Sequence, residues 1–257
     1  GKSTLIARLV HAYRSAGYAV GVLAVDPSSR RSGGALLGDR ARIEHDPTDA
    51  GVFIRSMAAG RHLGGLAGRS RNCLVVLEAA YDRVLIETTG VGQSETEIEQ
   101  VADSVVYVVQ PGSGDSLQFM KAGIMEIPDL LVVNKADLKN PALKALHELQ
   151  GVAALSAARP DGWTPVPMLV SALEGWGQEA LVAALEDHYR FLFRGELESR
   201  RWRQRVEWAY LLFSERFGSY GVERLGGEAV IRGRLEEMDL SDPFRALQEL
   251  ARGLSGI

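Results

Sequence analysis

The sequence of 257 residues is poor in the residues that build covalent cross-links and dedicated metal centres. It contains one cysteine, Cys73, so no disulfide can form within the chain, and its position on an apolar helix indicates a core residue rather than a nucleophile. The five histidines show no ligand spacing. No apolar run approaches the length of a membrane span, and no signal peptide is visible. We therefore expect a cytoplasmic protein without a membrane partner.

The chain also lacks a strong excess of either charge. Its 29 Lys and Arg residues against 33 Asp and Glu give a net charge of −4, so no overall basic field attracts nucleic acid. A basic run near the C-terminal end combines arginines with tryptophans: Arg200, Arg201, Arg203, Arg205, Trp202 and Trp208. This run is either a nucleic-acid surface or the solvated face of an amphipathic helix. We favour the helix face and predict no nucleic-acid partner.

Residues Gly1-Lys2-Ser3-Thr4 match the second half of a phosphate-binding loop, G-x-x-x-x-G-K-[ST], which opens a helix. Backbone N–H groups at a helix N-terminus bind phosphate oxygens. In such loops the lysine contacts the β- and γ-phosphates and the hydroxyl ligates Mg²⁺. Taken alone, four residues also fit an ordinary polar helix cap, so the rest of the chain must decide between the two interpretations.

Alternating helical and strand patterns follow this loop. Apolar spacing predicts a first helix that ends at Gly17, and strands over 19–25, 83–87, 104–109, 129–133 and 166–170 alternate with helices, the last of them over 179–190. The stretch from Arg30 to Arg71 is rich in Gly, Arg and Ser, and we interpret it as a long connection that is functional or mobile. The pattern predicts an α/β fold of the P-loop NTPase type, with three α/β/α layers and a mostly parallel sheet.

Only helical patterns follow Gly195. One apolar stripe runs through Trp202, Val206, Ala209 and Phe213, and a second begins at Phe244. We therefore expect a nucleotide-binding domain over residues 1–194, lacking its first strand and the start of its phosphate loop, and a C-terminal helical extension over 195–257.

Asn134-Lys135-Ala136-Asp137 follows a predicted buried strand and matches the N-K-x-D motif that reads guanine. The Asp137 carboxylate can accept hydrogen bonds from both N1–H and the exocyclic amine of guanine, whereas adenine would present an unprotonated N1 to it. Lys135 would lie along the base, and Asn134 would brace the loops. A later loop, Ser171-Ala172-Leu173, would offer a backbone N–H to guanine O6.

The segment Glu87-Thr88-Thr89-Gly90 ends another predicted strand. Its carboxylate would reach Mg²⁺ directly or through water, and the Gly90 N–H would bind the γ-phosphate. A valine follows Gly90 where Ras-like proteins have the glutamine that orients water, and Gln93 lies two residues further along. We therefore expect slow intrinsic hydrolysis that a partner accelerates. Asp26 also ends a strand near the phosphate loop and is a second candidate carboxylate for the metal.

Together these residues resemble the MeaB/ArgK family of methylmalonyl-CoA mutase-associated P-loop GTPases. The resemblance covers Gly1 to about Tyr189, and its most specific segments are 25–39, 87–95 and 111–126. It implies a GTP-binding and GTP-hydrolysing chaperone that gates adenosylcobalamin loading of methylmalonyl-CoA mutase, or of a related acyl-CoA mutase, and protects that enzyme. The implied ligands are GTP or GDP and Mg²⁺, and the implied assembly is a homodimer held by the C-terminal helices.

The resemblance also assigns roles to individual residues. It implies that Lys2, Ser3 and Thr4 bind phosphate and Mg²⁺, and that Asp26, Asp39 and Glu87 lie around the metal. The loop from Pro111 to Lys121 would act as an additional switch that relays the nucleotide state to the mutase. The implied switch residues are Gln93, Asp115 and Lys121.

Three alternatives stay open. A nickel- or cobalt-delivery GTPase shares the predicted fold, but such proteins tend to carry Cys or His clusters that this sequence lacks. A transport-associated ATPase or kinase, an older label of the same family, conflicts with the guanine-reading segment at 134–137. A module that holds nucleotide without turning it over is the third possibility.

Overall fold

The computed structural model describes residues 1–26, 43–58, 68–88, 98–112, 127–155, 159 and 161–255. The chain divides into two compact units, Gly1–Phe191 and Leu192–Ile257. The boundary lies three residues before the one expected from the sequence, at 194/195. Each unit has its own hydrophobic core, with the α/β elements in the first unit.

All the described strands of the first unit run parallel to their neighbours. They form two three-stranded sheets, with the orders β2-β1-β3 and β4-β5-β6. The strands are β1 (Val20–Asp26), β2 (Val52–Ala58), β3 (Arg83–Thr88), β4 (Val106–Val109), β5 (Leu130–Val133) and β6 (Pro167–Leu169). The helices of this unit are α1 (Lys2–Ser15), α2 (Gly68–Ala80), α3 (Asn140–Leu155) and α4 (Gln178–Phe193), of which the last two residues fall in the second unit.

The three layers follow from the alternation of side chains along the central strands. Val20 and Val22 of β1 pack in the same core as the apolar face of α1, whereas Leu23 and Val25 face the core that includes α2. Strand β5 divides its side chains in the same way between α1 and α3. Strands buried on both faces must be apolar throughout, as these are. The predicted three-layer α/β fold with parallel strands is confirmed.

Strand β2 corrects the interpretation of residues 30–71 as a connection. Val52–Ala58 pairs in register with β1, from Val20↔Val52 to Asp26↔Ala58. Its sequence mixes the buried Ile54 with the exposed Phe53 and Arg55, so it lacks the continuous apolar run of a central strand. The backbone hydrogen bonds to β1 make this segment a strand, although its local sequence shows no strand pattern.

The predicted helix near 118–125 lies outside the described residues.

A buried polar cluster at the N-terminal edges of β4 and β5 was not expected from the sequence. The fully buried Asp129 carboxylate accepts hydrogen bonds from the Val105 N–H (2.8 Å) and from Arg159 Nη2 (3.0 Å). The Trp163 Nε1–H donates to the Asp129 carbonyl at 2.8 Å. His188 of α4 is also fully buried, 3.4 Å from the Asp129 carboxylate. The cluster therefore ties α4 to the edge of the sheet opposite the strand ends that carry the sequence motifs.

The second unit contains three further helices, α5 (Leu197–Arg224), α6 (Glu228–Glu236) and α7 (Pro243–Ser255). The fully buried Phe213 lies in their common core, and Trp202 packs against that core. Trp208 is 9% exposed, so neither tryptophan of the basic run stands free to stack on a base. Among the arginines of the run, Arg203 is exposed and the other three are half-buried, so the interpretation as a solvated helix face is only partly supported. No helix among the described residues is long and apolar enough to cross a membrane.

We predict that the side chain of Asp49, in the turn before β2, titrates at an unusually acidic pH. Arg14 of α1 donates from Nε and Nη2 to its two oxygens, at 2.8 Å each, and this pair, with the Gly51 N–H, lowers the Asp49 pKa. A pKa lowered by folding stabilises the folded chain above the unfolded-state value of about 3.9, and the contribution disappears as the pH falls through the folded-state value. An NMR titration of the carboxyl carbon measures this pKa.

The matched variant for this titration is Arg14→Gln. It should move the Asp49 pKa back towards its ordinary value, because it removes the charged partner and leaves the Gly51 N–H in place. An Asp49 that titrates normally in the unmodified protein would contradict the assignment.

Candidate functional site

The first part of the site joins the start of α1 to the end of β3. Helix α1 begins after Gly1 with no side-chain cap and no acidic residue in its first turn, so its N-terminal backbone N–H groups are suited to an anion. The Ser3 hydroxyl donates to Glu87 Oε1 at 3.0 Å. Glu87 is 8% exposed. Two residues that lie 84 positions apart, and that the sequence predicted to share a metal, are therefore in direct contact.

The second part of the site is the side chain of Asn134, which is 1% exposed. Its Nδ2 donates to the Gly1 carbonyl at 3.1 Å. Its Oδ1 accepts from the Lys135 N–H at 2.8 Å and from the Ala172 N–H at 3.0 Å. One amide thus connects the start of α1, the segment after β5 and the segment after β6. These three hydrogen bonds connect the loops in the way that was expected of Asn134.

Close approach explains why glycine precedes Lys2. A Cβ added at Gly1 would lie 2.8 Å from Asn134 Nδ2, closer than side-chain atoms tolerate. Any larger residue would push the amide away from the Gly1 carbonyl. The requirement for glycine therefore comes from a segment more than a hundred residues away, in addition to the phosphate that such loops accommodate.

The third part of the site pairs Asp137 with Ser171. The Ser171 hydroxyl donates to Asp137 Oδ1 at 2.6 Å, which fixes the carboxylate against the segment after β6. Lys135 has left-handed backbone angles, φ 60° and ψ 43°, and the next residue donates its N–H to the Val170 carbonyl at 3.1 Å. This tight turn brings Asp137 to the C-terminal edge of β5 and β6.

Arg8 on α1 contacts the same segment and was not predicted. Its Nε donates to the Ala172 carbonyl at 2.9 Å and its Nη2 to the Leu173 carbonyl at 2.8 Å. An arginine on the exposed side of a helix gives no sequence signal of such a role, since most are solvated. Only the fold brings α1 beside a turn that lies 164 residues further along the chain.

Several predicted residues cannot be placed in this network. Asp26 ends β1, next to β3, but its side chain lies outside the described part of the structure, as do Gly90 and Asp39. The same holds for the predicted switch residues Gln93, Asp115 and Lys121. Lys2 and Thr4 lie in the first turn of α1, beside Ser3.

The residues at one end of the site fit a magnesium ion. Magnesium prefers oxygen ligands, usually one or two from protein side chains, with phosphate and water completing the shell. The hydroxyl of Ser3 and the carboxylate of Glu87 supply such oxygens within 3.0 Å of each other, beside a helix N-terminus that favours phosphate. At the other end, Asp137 presents a carboxylate that can accept two hydrogen bonds.

Comparisons with known proteins agree with this geometry. The model of the family described as methylmalonyl-CoA mutase-associated GTPase MeaB matches residues 1–222. A Pyrococcus abyssi protein named as a candidate GTPase is 45% identical over 211 residues, which are 80% of this chain and 64% of that protein. The GTPase ArgK of Escherichia coli is 38% identical over 212 residues, 81% of this chain and 64% of its own length. The chain thus spans slightly less than two thirds of these relatives.

A solved structure is similar over nearly the whole chain. The crystal structure of a LAO/AO transport system kinase superposes with a TM-score of 0.67 at 28% identity, covering 99% of this chain and 78% of that one. A likeness of this extent includes the C-terminal helices as well as the α/β unit.

We predict that Asn134→Ala lowers the free energy of unfolding by about 2 to 4 kcal/mol, because it leaves the Lys135 and Ala172 N–H groups without their buried acceptor. Chemical denaturation measures the change. The control is Asn72→Ala, an exposed position on α2, which should alter the stability by less than about 0.5 kcal/mol. Equal effects of the two substitutions would show that the amide does not hold the three segments together.

Proposed function

Because the chain belongs to the family of methylmalonyl-CoA mutase-associated GTPases, MeaB, we propose that it binds and hydrolyses GTP as the chaperone of an adenosylcobalamin-dependent acyl-CoA mutase. The proposed partner is methylmalonyl-CoA mutase or a related enzyme. GTP hydrolysis would gate the loading of adenosylcobalamin and protect the mutase. The proposed assembly is a homodimer formed through the C-terminal helices.

The observation that carries the proposal is the network around Asn134. It connects a phosphate-type helix N-terminus, through the Gly1 carbonyl, to the two segments that hold Asp137 and Ala172. A nucleotide has its charged phosphates at one end and its base at the other, and it needs both ends recognised at once. In open parallel sheets, ligands bind beyond the carboxyl ends of the strands, where these segments lie.

At the phosphate end, the side chains of the first turn of α1 act together with its backbone. Lys2 would place its ammonium between the β- and γ-phosphates, and the N–H groups of the turn would bind phosphate oxygens. Ser3, Glu87 and Asp26 would hold Mg²⁺, which when bound neutralises charge on the β- and γ-phosphates. Gly90 would contact the γ-phosphate, and Asp39 would lie near the metal. Hydrolysis would be slow until the mutase or a second protomer orients the water.

At the base end, the Asp137 carboxylate would select guanine. Ser171 holds one of its oxygens at 2.6 Å, so the carboxylate is oriented before the nucleotide arrives. It would accept from guanine N1–H and the exocyclic amine. Sites that depend on such buried polar pairs reject mismatched bases by large factors, because the mismatch leaves a polar group unpaired. This selection favours a GTPase over the ATPase or kinase alternative.

The metal-delivery alternative finds no support in the described residues. Among them, no group of three or more His, Cys, Asp or Glu side chains could hold a metal ion. In the proposed function the magnesium arrives with the nucleotide and is not a cargo.

We predict that Asp137→Asn in the full-length protein weakens GTP binding by roughly 100-fold or more and makes xanthosine triphosphate the better ligand. The substitution exchanges an acceptor for a donor, and xanthine carries a carbonyl where guanine carries its amine. Calorimetry with GTP, xanthosine triphosphate and ATP measures the change. Glu174→Gln, an exposed acid in the neighbouring segment, is the matched control and should leave the preference for GTP intact. An Asp137→Asn variant that still prefers GTP would remove the base assignment.

Capture of the mutase by the full-length protein should differ between GDP and a non-hydrolysable GTP analogue, because the nucleotide state is relayed through the loop from Pro111 to Lys121. Lys121→Ala should reduce this difference while GTP affinity is retained. Lys144→Ala, at an exposed position of α3, should preserve it. Identical capture in both nucleotide states would contradict the chaperone proposal.

A further inference from the structure

We propose that Arg8 is a positioning residue for guanine recognition, which holds the segment Ser171–Gly175 so that a backbone N–H of this turn faces guanine O6. The proposal rests on the proposed function, since it specifies how that site reads one atom of the base. Arg8 would not touch the nucleotide itself. It acts through the two carbonyls of the turn that it contacts, those of Ala172 and Leu173.

The turn depends on such a contact because its tip has little packing of its own. Leu173 exposes 72% of its surface, so its side chain does not anchor it. Ala172, the residue before it, is 3% exposed and is held by Asn134. The guanidinium of Arg8 binds both carbonyls at once, which fixes the orientation of the peptide units on either side of Leu173.

The hydrogen bonds of the turn indicate which N–H remains for the base. Four of its backbone N–H groups are already used within the protein: those of Ser171, Ala172, Glu174 and Gly175. In the part of the chain that the structure describes, the Leu173 N–H has no protein acceptor. It is therefore the donor of this turn that is available for guanine O6. The Ala172 carbonyl and the Leu173 N–H belong to the same planar peptide unit, so the hydrogen bond from Arg8 to that carbonyl sets the direction of the N–H.

The position of Arg8 also links the two ends of the nucleotide site. It lies on α1, between one and two turns after the proposed phosphate-binding residues, and its carbonyl accepts a hydrogen bond from Gln178 Nε2 at 2.8 Å. Gln178 thus ties α1 to the start of α4 through the backbone carbonyl of Arg8 and not through its guanidinium. This second tie provides a control, because it separates a general loosening of α1 from a specific effect on the turn.

The test uses full-length protein and three diphosphates: GDP, IDP and 6-thio-GDP. IDP keeps O6 and lacks the exocyclic amine, whereas 6-thio-GDP keeps the amine and N1–H but replaces O6 with sulfur, a weaker acceptor. Arg8→Ala should weaken GDP and IDP equally, by about 5- to 10-fold, and should bring the affinities for GDP and 6-thio-GDP together. Arg8→Lys should give an intermediate loss, because an ammonium cannot fork to two carbonyls as the guanidinium does.

The matched control is Gln178→Ala, which should leave the ratio of GDP to 6-thio-GDP affinity unchanged. The positioning role would be overturned if Arg8→Ala did not reduce the ratio of GDP to 6-thio-GDP affinity. It would also be overturned if Gln178→Ala reduced this ratio equally. An unmodified protein that binds GDP and 6-thio-GDP alike would overturn it as well. A merely structural role of Arg8 would lower the affinities for GDP and 6-thio-GDP together and would leave their ratio unchanged.

Failure of this proposal is distinguishable from failure of the proposed function. If the unmodified protein binds GDP with the expected dependence on Asp137 while Arg8→Ala has no effect on the ratio, only the role of Arg8 is wrong. If the unmodified protein does not bind GDP, both the proposed function and the role of Arg8 are wrong.

Discussion

The amide of Asn134 is the interaction on which the site depends. A primary amide carries both a donor and an acceptor, and here each is used: the donor on the Gly1 carbonyl, the acceptor on the N–H groups of Lys135 and Ala172. A carboxylate in its place could not donate to the Gly1 carbonyl, and an apolar side chain would leave buried backbone groups unsatisfied. The three segments therefore have one compatible arrangement around this side chain.

Parallel strand order makes this convergence possible. Because β1 pairs in parallel with β3, and β5 with β4 and β6, the segments that leave their C-terminal ends emerge at common edges. Helix α1 packs its apolar face in a core that includes both β1 and β5, so its N-terminus lies where Ser3 reaches Glu87 and Gly1 reaches Asn134. At the opposite edge, the buried carboxylate of Asp129 accepts a hydrogen bond from Arg159 and lies 3.4 Å from His188. One edge thus carries the candidate site around Asn134, and the opposite edge carries a buried cluster around Asp129.

Prediction from sequence succeeded where the signal is local and failed where it is not. The run 129–133 and the segment 134–137 could be interpreted together, because an apolar strand followed by a polar turn is a local pattern. Strand β2 was missed because its exposed Phe53 and Arg55 interrupt that pattern, and its pairing with β1 is what makes it a strand. Arg8 was missed because exposed arginines on helices are common. Asp129 was included in a predicted strand as an ordinary end residue, although it is fully buried.

The sequence alone determined the alternation of strands and helices apart from β2, the residue types at the strand ends and the family to which they point. These follow from side-chain periodicity and from the donors and acceptors that phosphate, magnesium and guanine require. The tertiary structure alone decided which distant groups touch: Ser3 with Glu87, Asn134 with Gly1 and Ala172, and Arg8 with the turn after β6. Such contacts depend on strand order and helix packing, which are set by burial summed over the whole core. The local sequence around any one residue therefore does not indicate them.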